Sequence, residues 1–416
     1  MGDSEEVSWV STCTITPSLA SQEQHLELGP SQIFMLTIKY IQKALLLPKS
    51  DPNLDPDFSS SSRERRFLHA KAIHITLNDI LGSPYVPLVV RSFFVYSGAM
   101  SHEGRFLPLL ARFRIYISYK VTELADSLFI VCSFNHVVGD GTSFWNFLNS
   151  WSELSRYIND KGEAHTLSPP PAIEWLYLAT NHLVCLNPPI DSLPLPPKPS
   201  PSPFYDRLFY FPAHSISHLK DKANSQNLEV FQALYAHVWR AITRACDLSG
   251  EQETWCALPV SYRSRVVPPL SPYFFGNAIR LIFLRTTSGE LLGRDLGWGA
   301  NLIQDAIAKQ TNEEICSWLE ANAKAPTLYD SMGFTTSPGV VMGNSPRFDV
   351  YGNDFGWGLP LGVHVGYDSR FDGNFFAFPA REGRGSTELH FYMNQNVMAA
   401  LERYKEFMEA VEDKAD

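Results

Sequence analysis

Apolar residues recur at helical spacing over residues 142–156, where Phe144, Phe147, Leu148, Trp151 and Leu154 share one face and Thr142 stands ready as an N-cap. Residues 231–245 repeat the pattern with Phe231, Leu234, Tyr235, Val238, Trp239 and Ile242. A third stripe over 394–411 sets Met398, Leu401, Tyr404 and Met408 on one side and predicts a single closing helix. Strands are predicted over 128–134, 278–284, Gly339–Met342 and 389–393. The run 128–134 is apolar throughout, as a strand buried on both faces should be. From 188 to 203 half of the positions are proline, with a shorter proline run at 169–171. Such a segment forms neither helix nor central strand and serves as an extended connector. The pattern predicts an N-terminal domain over 1–168, a linker over 169–206 and a C-terminal domain over 207–416, each mixing short strands with amphipathic helices.

Composition narrows the class. The 416 residues are 44% hydrophobic and 19% charged, which is globular and gives each half a core of ordinary size. A net charge of −10 argues against a nucleic-acid partner, and an anionic ligand would need a local basic pocket. The six cysteines (Cys13, Cys132, Cys185, Cys246, Cys256, Cys316) are scattered without a CxxC pair, so neither a metal site nor a disulfide framework is expected. Cys132 sits in the apolar run and reads as a reduced core residue. No apolar stretch is long enough to span a bilayer, and the acidic start MGDSEEVSWV is unlike a signal or transit peptide. Gly2 and Ser4 match a myristoylation signal poorly. A cytoplasmic protein with no membrane partner is expected. No heptads or interface stripe are visible, so it is expected to be a monomer.

The chemistry concentrates at His136-Val-Val-Gly-Asp140-Gly141. A buried strand precedes this segment and a helix follows at once, so His136 is predicted in a tight turn at the edge of the core. A substrate can reach a side chain so placed. An imidazole near its ordinary pKa of about 6.5 is mostly neutral at cellular pH and can accept a proton. The spacing His-x3-Asp recurs at His364 and Asp368, but no helix follows there, and His364 reads as a loop or hairpin residue. Spacing alone leaves His136 either a structural histidine or a base. The second landmark is Asp354-Phe355-Gly356-Trp357-Gly358. No kinase catalytic loop accompanies it, and Pro360 bars the helix that a dinucleotide loop would open, so it reads as a tight structural turn.

Together these two segments resemble the paired signature of the plant BAHD acyltransferases. Further matches fall in the family's order: Tyr40-Ile-Gln-Lys43, Tyr85-Val-Pro87, Ser143-Phe-Trp145, Arg263-Ser-Arg265, residues 273–277 and 342–348. The Thr-Ser-Phe-Trp after the Asp-Gly is similar to a branch of plant acetyltransferases that includes one member known to act as a lyase. The resemblance implies a mixed α+β (α/β) fold of two chloramphenicol-acetyltransferase-like domains, joined by the proline-rich crossover, with a tunnel between them. It implies acyl transfer from acyl-CoA, as co-substrate, to the hydroxyl or amine of a small metabolite, without metal or permanently bound cofactor. His136 would be the general base. Asp140 would be structural, pointing away from the substrate and pairing with Arg263 or Arg265, and residues 354–358 would be architectural. A peptide-synthetase condensation domain carries two histidines ahead of the same spacing, and Asn135 fills the first position here.

Departures from the family pattern are local. Residues 49–67 hold only a short Ser/Asp-rich loop where the family has a longer stretch, so a helix and a strand of the N-terminal domain are expected to be missing. Residues 112–120 (RFRIYISYK) are expected to interrupt the strand leading into Val121. Gly343-Asn344-Ser345 replaces a Thr-Ser-Trp that helps hold the oxyanion, which leaves Ser345 as the candidate oxyanion or substrate contact. His364 stands where relatives carry arginine. The competing readings are a lyase acting on an acyl-conjugated metabolite in the same fold, and a shortened, catalytically impaired paralogue.

Overall fold

Two six-stranded sheets carry the elements that position His136. A computed structural model describes residues 8–15, 31–32, 35, 41–49, 65–85, 117–161, 167, 170–172, 204–223, 229–325, 338–366, 372–383 and 385–412. The first half contributes β1 (Ser8–Ile15), β2 (Ile41–Pro48), β3 (Arg65–Ala72), α1 (Leu77–Leu81), β4 (Ile117–Leu124), β5 (Ser127–Phe134) and α2 (Gly141–Lys161). Then come β6 (Phe204–Phe211), α3 (Ala213–Ala223), α4 (Val230–Ala245), β7 (Glu253–Ser261), β8 (Ile279–Thr287), α5 (Ser288–Gly293), α6 (Leu296–Ala308) and α7 (Asn312–Lys324). The chain closes with β9 (Gly339–Met342), β10 (Gly362–Val365), β11 (Asn374–Pro379), β12 (Thr387–Asn394), α8 (Gln395–Arg403) and α9 (Lys405–Met408). The sheet orders are β1-β3-β4-β5-β2-β10 and β6-β12-β11-β9-β7-β8.

The apolar run at 128–134 is β5, hydrogen-bonded antiparallel to β4 on one side and β2 on the other. Its alternation explains why it is apolar throughout. Leu128, Ile130, Cys132 and Phe134 enter a core with α2, while Phe129 and Val131 enter a separate one with Ile75, Ile80 and Ala44. The first of these cores also takes Phe376, Phe378 and Tyr392 from the second sheet. One apolar layer therefore joins the two sheets beside the His136 turn. The other face of the second sheet packs on α3, α4, α6, α8 and α9.

Several expectations need correction. His364 is not in a loop: it lies in β10, 1% exposed, opposite Ala44 of β2. Gly356 and Gly358, with φ of 98° and 105°, turn the chain tightly, and the segment that follows reaches the edge of β2. Val363 and Val365 then enter the layer between the sheets. A strand from the second half thus completes the first sheet. The closing helix is two helices rather than one. Asn394 caps α8 by accepting from the Asn396 and Val397 amides, and the backbone breaks at Tyr404 (ψ 102°). The break turns Phe407 inward against Phe209, Phe211 and Phe391, a burial that a straight helix presenting Met408 would not achieve. Residues 112–120 do not interrupt a strand over their last four positions, since Ile117 to Lys120 continue directly into Val121 as β4. Lys120 is fully buried there, and burial pushes its ammonium pKa down to about 8. Most of 49–67 and of the linker over 169–206 lies outside the described residues.

Phe407 also stacks on His237, with ring centroids 5.6 Å apart. His237 is 4% exposed, and burial lowers its pKa to about 4, with Glu406 opposing the shift and Lys222 and Arg240 adding to it. The unfolded chain therefore binds this proton more tightly than the fold does. Stability is complete above pH 6.5 and falls as pH drops towards 4, by roughly 3 kcal/mol from this group. His237→Phe should shrink the difference in urea stability between pH 7 and pH 4.5 by about 2.5 kcal/mol. An unchanged difference would remove His237 from the acid response.

Candidate active site

The turn that carries His136 is held from both directions. Its start is the end of β5. Its finish is the first turn of α2, which Asp140 caps, not Thr142: Asp140 Oδ1 accepts from the Ser143 amide at 3.0 Å and its carbonyl accepts from the Phe144 amide. The short path requires glycine at 139, where a Cβ would lie 2.7 Å from that of Ser143.

Asp140 is fully buried, and its carboxylate bonds Arg263 and the Ser143 and Ala278 amides. Arg263 Nη2 donates to Oδ1 at 2.8 Å and to Oδ2 at 2.9 Å, and the Ala278 amide donates to Oδ2 at 2.9 Å. The sequence left two candidate partners for Asp140, and the structure selects Arg263. Arg265 instead donates to the carbonyls of Ile307 and Gln310 at the end of α6. Arg263 also reaches the Phe274 and Gly276 carbonyls and Ser143 Oγ, so one guanidinium ties α2 to the segment 274–278. Ser143 Oγ accepts from the Gly276 amide and donates to its carbonyl.

The same segment grips the histidine. Asn277 Nδ2 donates to the His136 carbonyl at 2.7 Å and to the Val137 carbonyl at 3.0 Å. Tyr262 Oη holds the Asn277 carbonyl at 3.2 Å and bonds Ser31 Oγ at 2.7 Å. Asn277 carries no chemistry-bearing spacing, and the sequence singled it out only as the last residue of a family segment. The tyrosine-to-asparagine run was the available signal, because a polar residue closing an aromatic run must find buried partners.

His136 keeps partial exposure while its Nδ1 is closed to solvent. Burial pushes its pKa below the ordinary 6.5, against the support of its own carbonyl, the Asp140 charge and Asn277. Lys43 adds to the lowering; its buried ammonium sits 4.0 Å over the Phe376 ring. The ring is therefore neutral at pH 7 and able to take a proton. Ser345 follows Asn344, which accepts from Trp145 Nε1 at 3.3 Å and donates to the Ala377 carbonyl at 2.8 Å. Through that pair the turn bearing Ser345 is tied to α2. The Ser345 hydroxyl accepts from the Arg347 amide at 3.2 Å and keeps its own proton to donate.

Residues 354–358 are brought to α2, at its far end. Asp354 Oδ1 accepts from the Gly356 and Gly358 amides at 2.8 and 3.0 Å and closes the turn. Arg156 lies 3.6 Å from its other oxygen. Phe355 is fully buried edge-on against Trp151 at 4.9 Å, and Trp357 stacks beside it. Trp151 lies ten residues beyond Gly141, about 15 Å along the helix.

A sequence profile described as the Transferase family matches residues 65–408. An uncharacterized acetyltransferase of Arabidopsis thaliana is 31% identical over 453 aligned residues, covering 97% of this chain and 99% of the relative. That aligned length exceeds the 416 residues here, so the relative carries residues this chain lacks. BAHD acyltransferase DCR of Arabidopsis thaliana is 30% identical and aligns over 84% of this chain and 72% of its own. Vinorine synthase superposes with a TM-score of 0.70 at 19% identity, over 98% of this chain and 99% of its own. TRI101 of F. graminearum, solved with coenzyme A and T-2 mycotoxin, gives 0.68 at 14% identity, over 94% and 99%. The chain therefore belongs to the Transferase family, the plant BAHD acyltransferases, and its two sheets build the paired chloramphenicol-acetyltransferase-like domains of that fold.

Proposed function

We propose that the protein moves an acyl group from an acyl-CoA thioester to the hydroxyl or amine of a small plant metabolite, with His136 as general base. The observation that carries this reading is the neutral, partly exposed imidazole at the junction of β5 and α2, on a backbone that Asn277 holds at the His136 carbonyl, while Asp140 is committed elsewhere. Membership of an acyltransferase family and the coenzyme A bound by TRI101 support the donor class.

His136 takes the proton from the acceptor as its oxygen or nitrogen attacks the thioester carbonyl carbon. The tetrahedral intermediate carries its charge on the former carbonyl oxygen, and the Ser345 hydroxyl is the candidate donor to it. The C–S bond then breaks and His136 returns the proton to the departing thiolate, so the enzyme ends as it began. Both Asp140 oxygens are engaged by Arg263 and backbone amides, so Asp140 acts as a brace for the turn. The segment 354–358 stays architectural, and the proline-rich 169–206 divides the two domains.

The test is release of free thiol from acetyl-, malonyl-, benzoyl- and hydroxycinnamoyl-CoA against a panel of hydroxyl and amine acceptors. Acceptor-dependent release, with an acylated product in equal amount, is expected for one donor class. Release that proceeds without acceptor, or product formed without thiol, would contradict transfer.

A further inference from the structure

We infer that Lys43 is a specificity-determining residue: its ammonium, held in the layer between the two sheets beside the His136 turn, pairs with a carboxylate carried by the substrate. This deepens the acyl-transfer reading and rests on it for the location of the reacting centre. Lys43 closes the stretch Tyr40-Ile-Gln-Lys43, which the proposed mechanism leaves without a role.

Alternation along β2 decides where Lys43 points. Leu45 and Leu47 enter the core that joins the sheets, and Ala44 and Leu46 enter the other one, so Lys43 falls on the joining face. It lies opposite Cys132 of β5 and Val365 of β10, two more residues of that core. Lys43 is 4% exposed, and its ammonium meets the second sheet 4.0 Å above the Phe376 ring and 5.2 Å from that of Phe378. Ile41, two residues back along β2, faces Phe134, the last residue of β5 before the His136 turn. That step is about 7 Å along the strand, and the lysine charge is felt at the His136 ring. The seat of the ammonium depends on Gly343. A Cβ there would lie 2.2 Å from the Phe376 ring, so any larger residue, the threonine of the family pattern included, would move the ring.

The chemistry of this seat favours an anion from the substrate. Burying an ammonium is costly, and an aromatic face attracts the cation while leaving its charge intact. The ammonium carries three N–H donors, so it can serve a substrate alongside its protein neighbours. A chain of net charge −10 repels anionic substrates at long range, and a buried cation in the seam gives one a local site. Two other cations of this region do not compete. Arg263 is committed to Asp140, and Lys120 alternates onto the face of β4 opposite to Tyr119 and Val121, which enter the joining core. The phosphates of CoA are separated from its thioester by the whole pantetheine arm. The anion read beside His136 therefore belongs to the acyl group or to the acceptor.

The proposal is tested by titration calorimetry of matched probes with the unsubstituted protein, Lys43→Met and Lys43→Arg. The acceptor pairs are 3-hydroxybenzoate and 3-aminobenzoate against their methyl esters, and the donor pair is malonyl-CoA against butyryl-CoA, which is similar in size and lacks the carboxylate. The unsubstituted protein should bind the charged member about ten- to a hundredfold more tightly in one kind of pair, and that kind names the source of the carboxylate. Lys43→Met should bring the ratio near one, and Lys43→Arg should keep part of it. Equal binding of both members in every pair by the unsubstituted protein, or a preference that survives in Lys43→Met, overturns the proposal. Where Lys43→Met does not fold, the ¹⁵N signal of the Lys43 ammonium in the unsubstituted protein decides. It should move with the charged probe alone, and a signal that stays in place overturns the proposal as well. Failure of the acyl-transfer reading looks different: the charged probe still binds through Lys43, but no donor and acceptor together release thiol.

Discussion

Substituting His136→Ala is expected to lower acyl transfer by about 10²–10⁴-fold while leaving the thermal transition where it was. On the proposed mechanism, the rate loss follows from removing the general base at the β5–α2 junction. The unchanged melt follows from the way the turn is held. Its bonds run through the carbonyls of His136 and Val137 and through Asp140, none of which the substitution removes. Residual activity is expected, because binding donor and acceptor side by side accelerates the reaction without a base. Thiol release and a calorimetric melt on the same preparation check both halves. A variant that retained full activity would show that another group takes the proton.

Asp140→Ala should behave in the opposite way, losing stability and activity together. Asp140 is fully buried and satisfies Arg263 Nη2, the Ser143 amide and the Ala278 amide. Its removal leaves a guanidinium only 13% exposed without its counter-charge and α2 without its cap. Breaking a buried pair in this way costs about 3–5 kcal/mol, and losing the cap costs about 1 more. The His136 turn would loosen with it, so the activity lost should exceed what the melt alone explains. Removing the stranded charge as well, in Asp140→Ala/Arg263→Met, should recover part of the stability and little of the activity. Urea unfolding of the single and double variants measures this. A single variant within about 0.5 kcal/mol of the parent would mean that the pair is not the brace described.

The contrast between these two substitutions bears on what the sequence could reveal. The position of His136 was legible because strand, turn and helix are consecutive, and each is set by local periodicity. The identity of the Asp140 partner was not. Arg263 and Arg265 differ by two residues, and the choice depends on which side of the loop after β7 faces α2. Asp140 as the cap of α2 was missed because Thr142 is also a good cap residue, and the helix begins one residue earlier than the apolar stripe suggests. His364 was misplaced for a different reason. A four-residue strand between glycine turns has too few positions to show a period, and its partner β2 lies more than three hundred residues away in sequence. The break at Tyr404 was hidden because residues on both sides of it are good helix formers, and only the tertiary gain from burying Phe407 favours it.

The lowered pKa of His136 links these residues to one observable. The base must be neutral to act, so kcat/KM should rise with pH through the ring's ionisation and level off above it. Burial and Lys43 place that ionisation below 6.5, and Asp140, Asn277 and the ring's own carbonyl limit how far it falls. The most direct measurement is the pH dependence of acceptor-dependent thiol release by the unsubstituted protein and by His136→Ala, recorded side by side. The account predicts a single acid limb below pH 6.5 in the first and none in the small residual rate of the second. The same limb in both proteins, or a variant as fast as its parent, would contradict it.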